Sequence, residues 1–575
     1  MKKYIFGKLI LAVSFLTLIG YSCKEEFLTV LPTGSIAKDQ LTSKKGLEGA
    51  LIAAYGQLGG YGNRMAGPTN WVWGSIRGGD ANKGTDPGDF SDINPIQRFE
   101  YLSTQGVISD SYRGQYEGVA RSNSILDLLK SAQADVSAED KKRLEGEARF
   151  LRGHYYFQLK RNFNNTPYVD ENIGVGTGIE KVKNDIDLYP KIEADLKFAY
   201  DNLSATQGQS GRVNKWAAGS YLAKVYMYQK KFAEAKVLFD AIIANGVTTN
   251  GKKYALVSKF PDIYRTSNDN NSESIFAVQA AANTGSVNNA NPELDLNFIQ
   301  GSEPGGCCGF FQPSFELVNS YRTKDGLPLL DGSYNSASNA VKSDMGLQTS
   351  AAFTTDAGEL DPRLDHTVGR RDIPFLDWGN HKGFSWIRNQ ANGGPYSPKK
   401  YLYYKTDKGT LQDNSSWTAG YTALNITIIR FADVLLMAAE AEIEVGSMEK
   451  AREYVNMIRK RASDPSSFVM NGTAPAAKYV IKTYDAPWTD KAVARTAVRF
   501  ERKLELGMEG HRFFDLVRWG TDVNEINAYL KHEAQFLPGT LGQGATYQAK
   551  HAILPIPQGQ IDLTGASILK QNPGY

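Results

Sequence analysis

Residues 428–462 read IIRFADVLLMAAEAEIEVGSMEKAREYVNMIRKRA, and this stretch decides the fold. Two apolar-periodic runs flank the break at Gly446-Ser447, so the segment predicts two helices joined by a tight turn. Ala438, Ala439 and Ala451 fall where such helices cross, with Val455 and Ile458 as larger residues between them, the spacing of a tetratricopeptide hairpin. Glu442 departs from the pattern, standing where an aromatic ring is common. A second segment repeats the spacing. There, Leu222, Ala223, Tyr226, Ala235, Phe239 and Ile242 occupy all six usual positions around a Lys-rich turn. Two matches in one chain make helical repeats the reading for both regions.

Outward from these hairpins the periodicity continues in part. A helix is expected from about Ser43 to Leu58, with Leu47, Ala50, Leu51 and Ala54 on one face. Helical patterning returns at Arg113–Lys130 and at Ala138–Phe163, where Phe150, Leu151, His154, Tyr155 and Leu159 are spaced for a buried face. The chain therefore divides into helical hairpins near 138–245 and 428–520 with a different stretch, 246–425, between them. That stretch is rich in Gly, Asn, Ser, Pro and aromatic residues and has little helical period. Short strands are expected at Ser274–Ala280 and Tyr401–Lys405, the latter packing Tyr401, Tyr403 and Tyr404. The class is mainly α, with an irregular, loop-rich insertion on a helical scaffold, and loops on rigid scaffolds are where binding residues sit.

Bulk properties narrow the functions. At 575 residues a prior of ~150 per domain gives three or four units. Stacked hairpins break that prior by extending one continuous core, so 41–575 is read as one domain. A net charge of +3 offers no basic stripe to neutralise phosphates, which argues against nucleic acid. No CxxC pair exists and the six histidines (154, 366, 381, 511, 532, 551) are scattered, so no sequence-local metal site and no cofactor are expected.

The N-terminus carries an export signal. Lys2, Lys3 and Lys8 form a basic region, and Leu9–Gly20 is apolar but too short for a span of ~20 residues. Tyr21-Ser22-Cys23 follows and resembles a lipoprotein signal, in which residues 1–22 are removed and Cys23 takes the lipid. Multiple acyl chains anchor stably where one does not. Residues 23–40 then read as a lipid-anchored leader, and Lys24-Glu25-Glu26 resembles a tag for export to the cell surface.

Five runs in order resemble the SusD/RagB family of nutrient-binding lipoproteins. They are ARFLRGHYYFQLKRNFNNTPYV at 148–169, LYPKIEADLKFAYDNL at 188–203, the opening stretch at 428–462, ERKLELGMEGHRFFDLVRWG at 501–520, and ILPIPQGQIDLTGASILKQNPGY at the chain's end. The 246–425 stretch matches only at PSFELVNSY, KDG and DPRL, and Thr564-Gly565 replaces a frequent Asn. The resemblance implies about four tetratricopeptide-like hairpins carrying an irregular ligand-binding part. It also implies no catalysis, an outer-membrane location, and a SusC-like TonB-dependent transporter as partner.

Candidate binding residues follow from sugar chemistry. A sugar ring offers C–H bonds to an aromatic face and hydroxyls to planar polar groups. WVWGSIRGGDAN at 71–82 supplies both through Trp71, Trp73, Arg77, Asp80 and Asn82, with a core role for the tryptophans as the alternative. Trp378, Trp386 and Arg388 form a second group. Adjacent Cys307 and Cys308, among Gly305, Gly306, Gly309, Phe310 and Phe311, would make an apolar knuckle against a sugar if joined by a vicinal disulfide; two reduced, buried thiols are the alternative. The tempting catalytic set, Glu501, Glu505, Glu509, His511 and Asp515, is read as an ion-pair network, because Arg502, Arg512 and Arg518 lie near and would lower the carboxylates together. No GxSxG, HExxH, GxGxxG or P-loop pattern occurs. The expectation is a cell-surface protein that captures oligo- or polysaccharide without chemistry. Peptide capture of the RagB kind and a scaffold for other surface proteins are the alternatives.

Overall fold

The computed structural model describes residues 38–575 apart from 61–64, 175, 292–298, 302–303, 305–307 and 416–419. The signal peptide, Cys23, nearly all of the leader and Cys307 lie outside the described residues.

The first amphipathic helix forms at Lys44–Gly56 (α1), where the Ser43 hydroxyl accepts the Gly46 amide and satisfies one orphan donor of the first turn. Leu47, Leu51 and Ala54 are fully buried, whereas Ala50 is only half covered. The next helix, Gly106–Leu129 (α2), starts earlier than the Arg113 its periodicity indicated. Ala138–Phe163 (α3) is capped by Ser137, which accepts the Asp140 amide. All five residues of its expected face are buried. Gly118 is needed here: a Cβ at that position would stand 2.4 Å from the Tyr155 ring, so only glycine lets α2 and α3 approach this closely. The Tyr155 hydroxyl then donates to the Ala54 carbonyl of α1 at 2.8 Å, tying three helices at one point.

Tyr189–Asn202 (α4) leads into the first repeat hairpin, Lys215–Tyr228 (α5) and Phe232–Asn245 (α6), and the second is Phe431–Val445 (α7) with Met448–Ala462 (α8). The crossing alanines at 223, 235, 438, 439 and 451 are fully or almost fully buried. Glu442, the departure from the pattern, accepts the Ser447 amide at 2.8 Å and faces Lys236 of α6 at 2.9 Å. It closes its own turn and joins the two hairpins, which an aromatic ring would not do. Lys491–Leu506 (α9) packs against α7 and α8.

The insertion is held by small antiparallel pairings. Ala81–Gly84 (β1) pairs with Phe310–Pro313 (β3), and Ser274–Val278 (β2) pairs with Ile426–Arg430 (β4). The β2–β4 pair brings both ends of the insertion together and delivers Arg430 to the start of α7. The strand expected at Tyr401–Lys405 does not form: Tyr401 adopts φ +65°, which breaks extension, and Lys405–Asp407 is a 3₁₀ turn. Tyr401 and Tyr403 are nevertheless buried. One continuous core runs through the helices, and two smaller clusters lie under the insertion's loops. Among the described residues no helix is long and apolar enough to cross a membrane.

Candidate functional site

The platform expected at 71–82 is not on the surface, which corrects the sequence reading. Trp71–Ile76 forms a π-helical turn whose side chains are all buried. Trp71 meets Phe310 and Phe311 edge-on at 6.1 and 5.7 Å, and the Trp73 indole donates to the Met65 carbonyl at 2.6 Å. Arg77 is fully enclosed, lies 3.7 Å over the Phe513 ring, and donates to the Tyr101 hydroxyl and the His551 carbonyl, each at 2.8 Å. Asn82 donates to Glu533 at 3.3 Å and accepts from Tyr529 at 3.2 Å. Asp80 accepts from Ser75 and from the Met508 amide, each at 3.1 Å, while burial pushes its carboxyl up to about 6. Arg77, Asp80 and Asn82 fasten the segment to the chain's C-terminal part, while Trp71 and Trp73 pack it against Phe310, Phe311 and Met65. The five residues have no face left for a ligand.

What they fasten in place is the loop that follows. β1 runs into residues 85–90, where the Thr85 amide donates to the Gly309 carbonyl at 2.7 Å. Asp86 Oδ1 accepts the amides of Gly88 and Asp89, and the buried Lys83 donates to the carbonyls of Asp86 and Asp89. Asp86 Oδ2, and Asp89 Oδ2, which also accepts the Thr85 hydroxyl at 3.0 Å, then face Arg388. Its guanidinium stands 2.5 Å from Asp86 Oδ2 and 2.6 Å from Asp89 Oδ2, and donates to the Thr85 hydroxyl at 3.1 Å.

Around this pair the central loops gather. Trp386 is buried in a cluster with Ile299, Phe375 and Leu402, edge-on to Phe375 and His381, so its ring supports the loop and does not present a face, a second correction. Trp378 is only half buried, anchored by its indole donating to the Tyr403 carbonyl at 3.2 Å. Phe384 is 37% exposed, and Phe90 is half buried against Phe310. Cys308 is disulfide-bonded and buried, and Cys307 is outside the described residues. Tyr403 donates to the Pro304 carbonyl at 3.0 Å, linking the 299–309 loop to the Trp378 side. Thus Arg388 is at the surface with Asp86 and Asp89, while Trp378, packed on the Trp386 cluster, and Phe384 are the part-exposed rings of the same 376–388 loop. Sequence reading missed Asp86, Asp89 and Phe384, although the D-P-G-D turn before Phe90 was a signal for a rigid acidic loop.

The Glu501–Asp515 run is a buried ion-pair network. Glu501 faces Arg363 and Arg459 at 2.7 and 2.8 Å; Glu505 faces Arg363, Arg430 and Arg461; Glu509 faces Arg430 and Lys400 at 2.8 and 2.7 Å. Arg502 and Arg518 pair instead with Asp515, and additionally with Asp433 and Glu440 respectively. Burial acts to raise the carboxyls, yet Arg461, Arg430 and Arg363 hold Glu505 well below the usual carboxylate range, and Arg430 with Lys400 holds Glu509 at about 2. Burial and then Lys224 lower His511 to about 3. General acid–base work needs two carboxyls pushed apart, whereas these move together.

The described architecture is a helical-repeat scaffold that carries loop-built rings, carboxylates and a guanidinium at its surface. The sequence pattern of the SusD family matches residues 272–575, more than half of the chain, and the chain belongs to that family. A second pattern, described as starch-binding associating with outer membrane, matches residues 89–227. A SusD-like protein of Bacteroides ovatus is 25% identical over 90% of this chain and 83% of its own length. A SusD superfamily protein from Bacteroides vulgatus superposes with a TM-score of 0.69 at 22% identity, covering 92% of this chain and 99% of its own. Surface glycan-binding protein A from Bacteroides thetaiotaomicron, solved with laminarihexaose, gives 0.61 at 20% identity over 92% and 99%.

Proposed function

We propose that this protein is a cell-surface lipoprotein, anchored through Cys23 after loss of residues 1–22, that holds neutral oligosaccharides without chemistry. Captured sugar passes to a SusC-like TonB-dependent transporter in the outer membrane, and the 41–575 unit does the binding. The observation that carries the reading is the pair of features the central loops carry: the half-buried Trp378, packed on the Trp386 cluster, and Arg388, whose guanidinium is locked by Asp86 and Asp89. An anchored ring and a pre-oriented fork of donors and acceptors are what a sugar's C–H face and vicinal hydroxyls require. Family membership and the laminarihexaose-bound relative support the same ligand class. The buried, salt-bridged state of the carboxylate-rich run supports binding over hydrolysis.

Affinity electrophoresis of the chain from residue 24 onward, in gels containing laminarin, starch, fructan, mannan or xylan, tests the reading. Retardation in at least one neutral glycan is expected; unretarded migration in all, with binding only to a peptide digest, overturns it.

A further inference from the structure

Two carboxylates and two cations meet at the turn after β1. Lys83, fully enclosed, and Arg388 are set against Asp86 and Asp89, so these four residues carry no net charge together. Burial lowers the Lys83 ammonium to about 8 against the pull of Asp89 and Asp86, and it still holds its proton at pH 7.

The two aspartates are not equivalent. Asp89 Oδ2 accepts from Arg388 Nη1 and also from the Thr85 hydroxyl. Asp86 Oδ1 accepts the amides of Gly88 and Asp89 at 3.0 and 2.9 Å, which shapes the turn, and its Oδ2 faces Arg388 Nη2 at 2.5 Å. Arg388 Nε has no partner among the described residues. The Nε–Nη2 edge of a guanidinium can grip a planar carboxylate side-on through two parallel hydrogen bonds. Asp86 blocks that edge at Nη2. A sugar hydroxyl is still served, because it can accept from Nε and donate to an aspartate oxygen. A sugar carboxylate is not: it would have to displace Asp86 and would meet the negative charge of both aspartates. Like charge set against a competing ligand is one way in which specificity is built.

We propose that Asp86 is the residue that restricts this surface to uncharged sugars, by occupying the guanidinium edge on which a uronate carboxylate would pair. The inference rests on the reading that the Arg388 surface holds glycan. Asp86→Asn separates charge from shape. Asparagine keeps Oδ1 for the two turn amides and puts an NH2 group where Oδ2 stood, opposite Nη2. Two donors then oppose each other, Nη2 is released, and the four positions carry one positive charge more than before.

Calorimetry of the chain from residue 24 onward decides the matter with laminarin, starch, fructan and mannan, each beside the same polymer with primary hydroxyls oxidised to carboxylates. The parent should bind the neutral member of at least one pair, and its oxidised member about tenfold more weakly. Asp86→Asn should reverse that order, taking the oxidised member about tenfold more tightly than the parent does. The gain should vanish in the double variant Asp86→Asn/Arg388→Ala. A turn that was merely loosened would weaken both members together, so the reversal is not a structural effect. Equal affinity of the parent for both members, an Asp86→Asn protein that keeps the parent's order, or a gain that survives Arg388→Ala would each overturn the assignment. Should circular dichroism show Asp86→Asn unfolded, equal affinity of the parent for both members overturns it alone. A parent that binds neither member of any pair sinks the capture reading and this inference with it, whereas neutral binding by the parent with no reversal sinks this inference only.

Discussion

Arg388 and Asp89 are 299 positions apart in the sequence and 2.6 Å apart in space. Two regions that look unrelated along the chain, the turn after β1 and the loop carrying Trp378 and Trp386, meet through this contact. Both side chains are about one-third exposed, at 35% and 33%, so water screens the pair.

The first expectation follows from that screening. An exposed ion pair contributes only ~0–1 kcal/mol, so Arg388→Ala should leave the melting temperature within about 2 °C of the parent. Glycan affinity should fall about tenfold, because the lost guanidinium donated charge-assisted hydrogen bonds. Parallel melting and binding measurements check both; a large loss of stability would make Arg388 a fold residue.

Trp71→Ala should do the reverse. Removing a buried ring packed on Phe310 and Phe311 leaves a cavity costing about 3–5 kcal/mol. Urea unfolding should show the cost, and the protein that remains folded should keep its glycan affinity.

Asp80 gives a sign test. Its folded carboxyl is raised to about 6, against ~3.9 when unfolded, so the fold prefers the protonated form and loses stability as pH rises through that window. Asp80 Oδ1 has no hydrogen-bond partner among the described residues. Asp80→Asn should therefore stabilise the protein at pH 7 by about 1–2 kcal/mol, with the gain vanishing near pH 4. Thermal melts at the two pH values read it.

The buried network predicts acid lability. Glu509 sits at about 2 in the fold and ~4.3 unfolded, so its stabilisation is complete above the unfolded value and is lost as pH falls toward 2. His511, lowered to about 3 against ~6.5 unfolded, acts with the same sign: the unfolded chain takes up its proton first as pH falls. Stability should decline from about pH 6.5 downward. Glu505→Ala, which removes the carboxylate shared by Arg363, Arg430 and Arg461 and leaves the buried network short of one negative charge, should cost about 3–5 kcal/mol at pH 7. Denaturant titrations across pH check both.

The helical scaffold was legible because its signals are local. Alanines at crossing positions, caps such as Ser43 and Ser137, and the 3.6-residue period of α3 each act within a few residues. The binding region was not legible in the same way. Trp71 and Arg77 carry the residue types of a sugar platform, but β1–β3 pairing and contacts to Phe513 and His551, over four hundred positions away, turn them inward. Glu442 likewise looked like an error in a repeat until Lys236 of the other hairpin faced it. The Tyr401 strand failed for a backbone reason, a positive φ that no composition rule forecasts. Arg388 and Trp378 stood out in the sequence by residue type, whereas the pairing of Arg388 with Asp86 and Asp89 emerges only in the fold.

The most direct test is isothermal titration of Trp378→Ala and its parent, each starting after Cys23, against the neutral glycan that retards the parent in gels. The account predicts saturable parent binding that weakens by roughly 1–3 kcal/mol in Trp378→Ala, taking the stacking of rings on aromatic side chains as guide, with an unchanged melting temperature. Full affinity retained by Trp378→Ala, or a parent that binds no glycan at all, would contradict it.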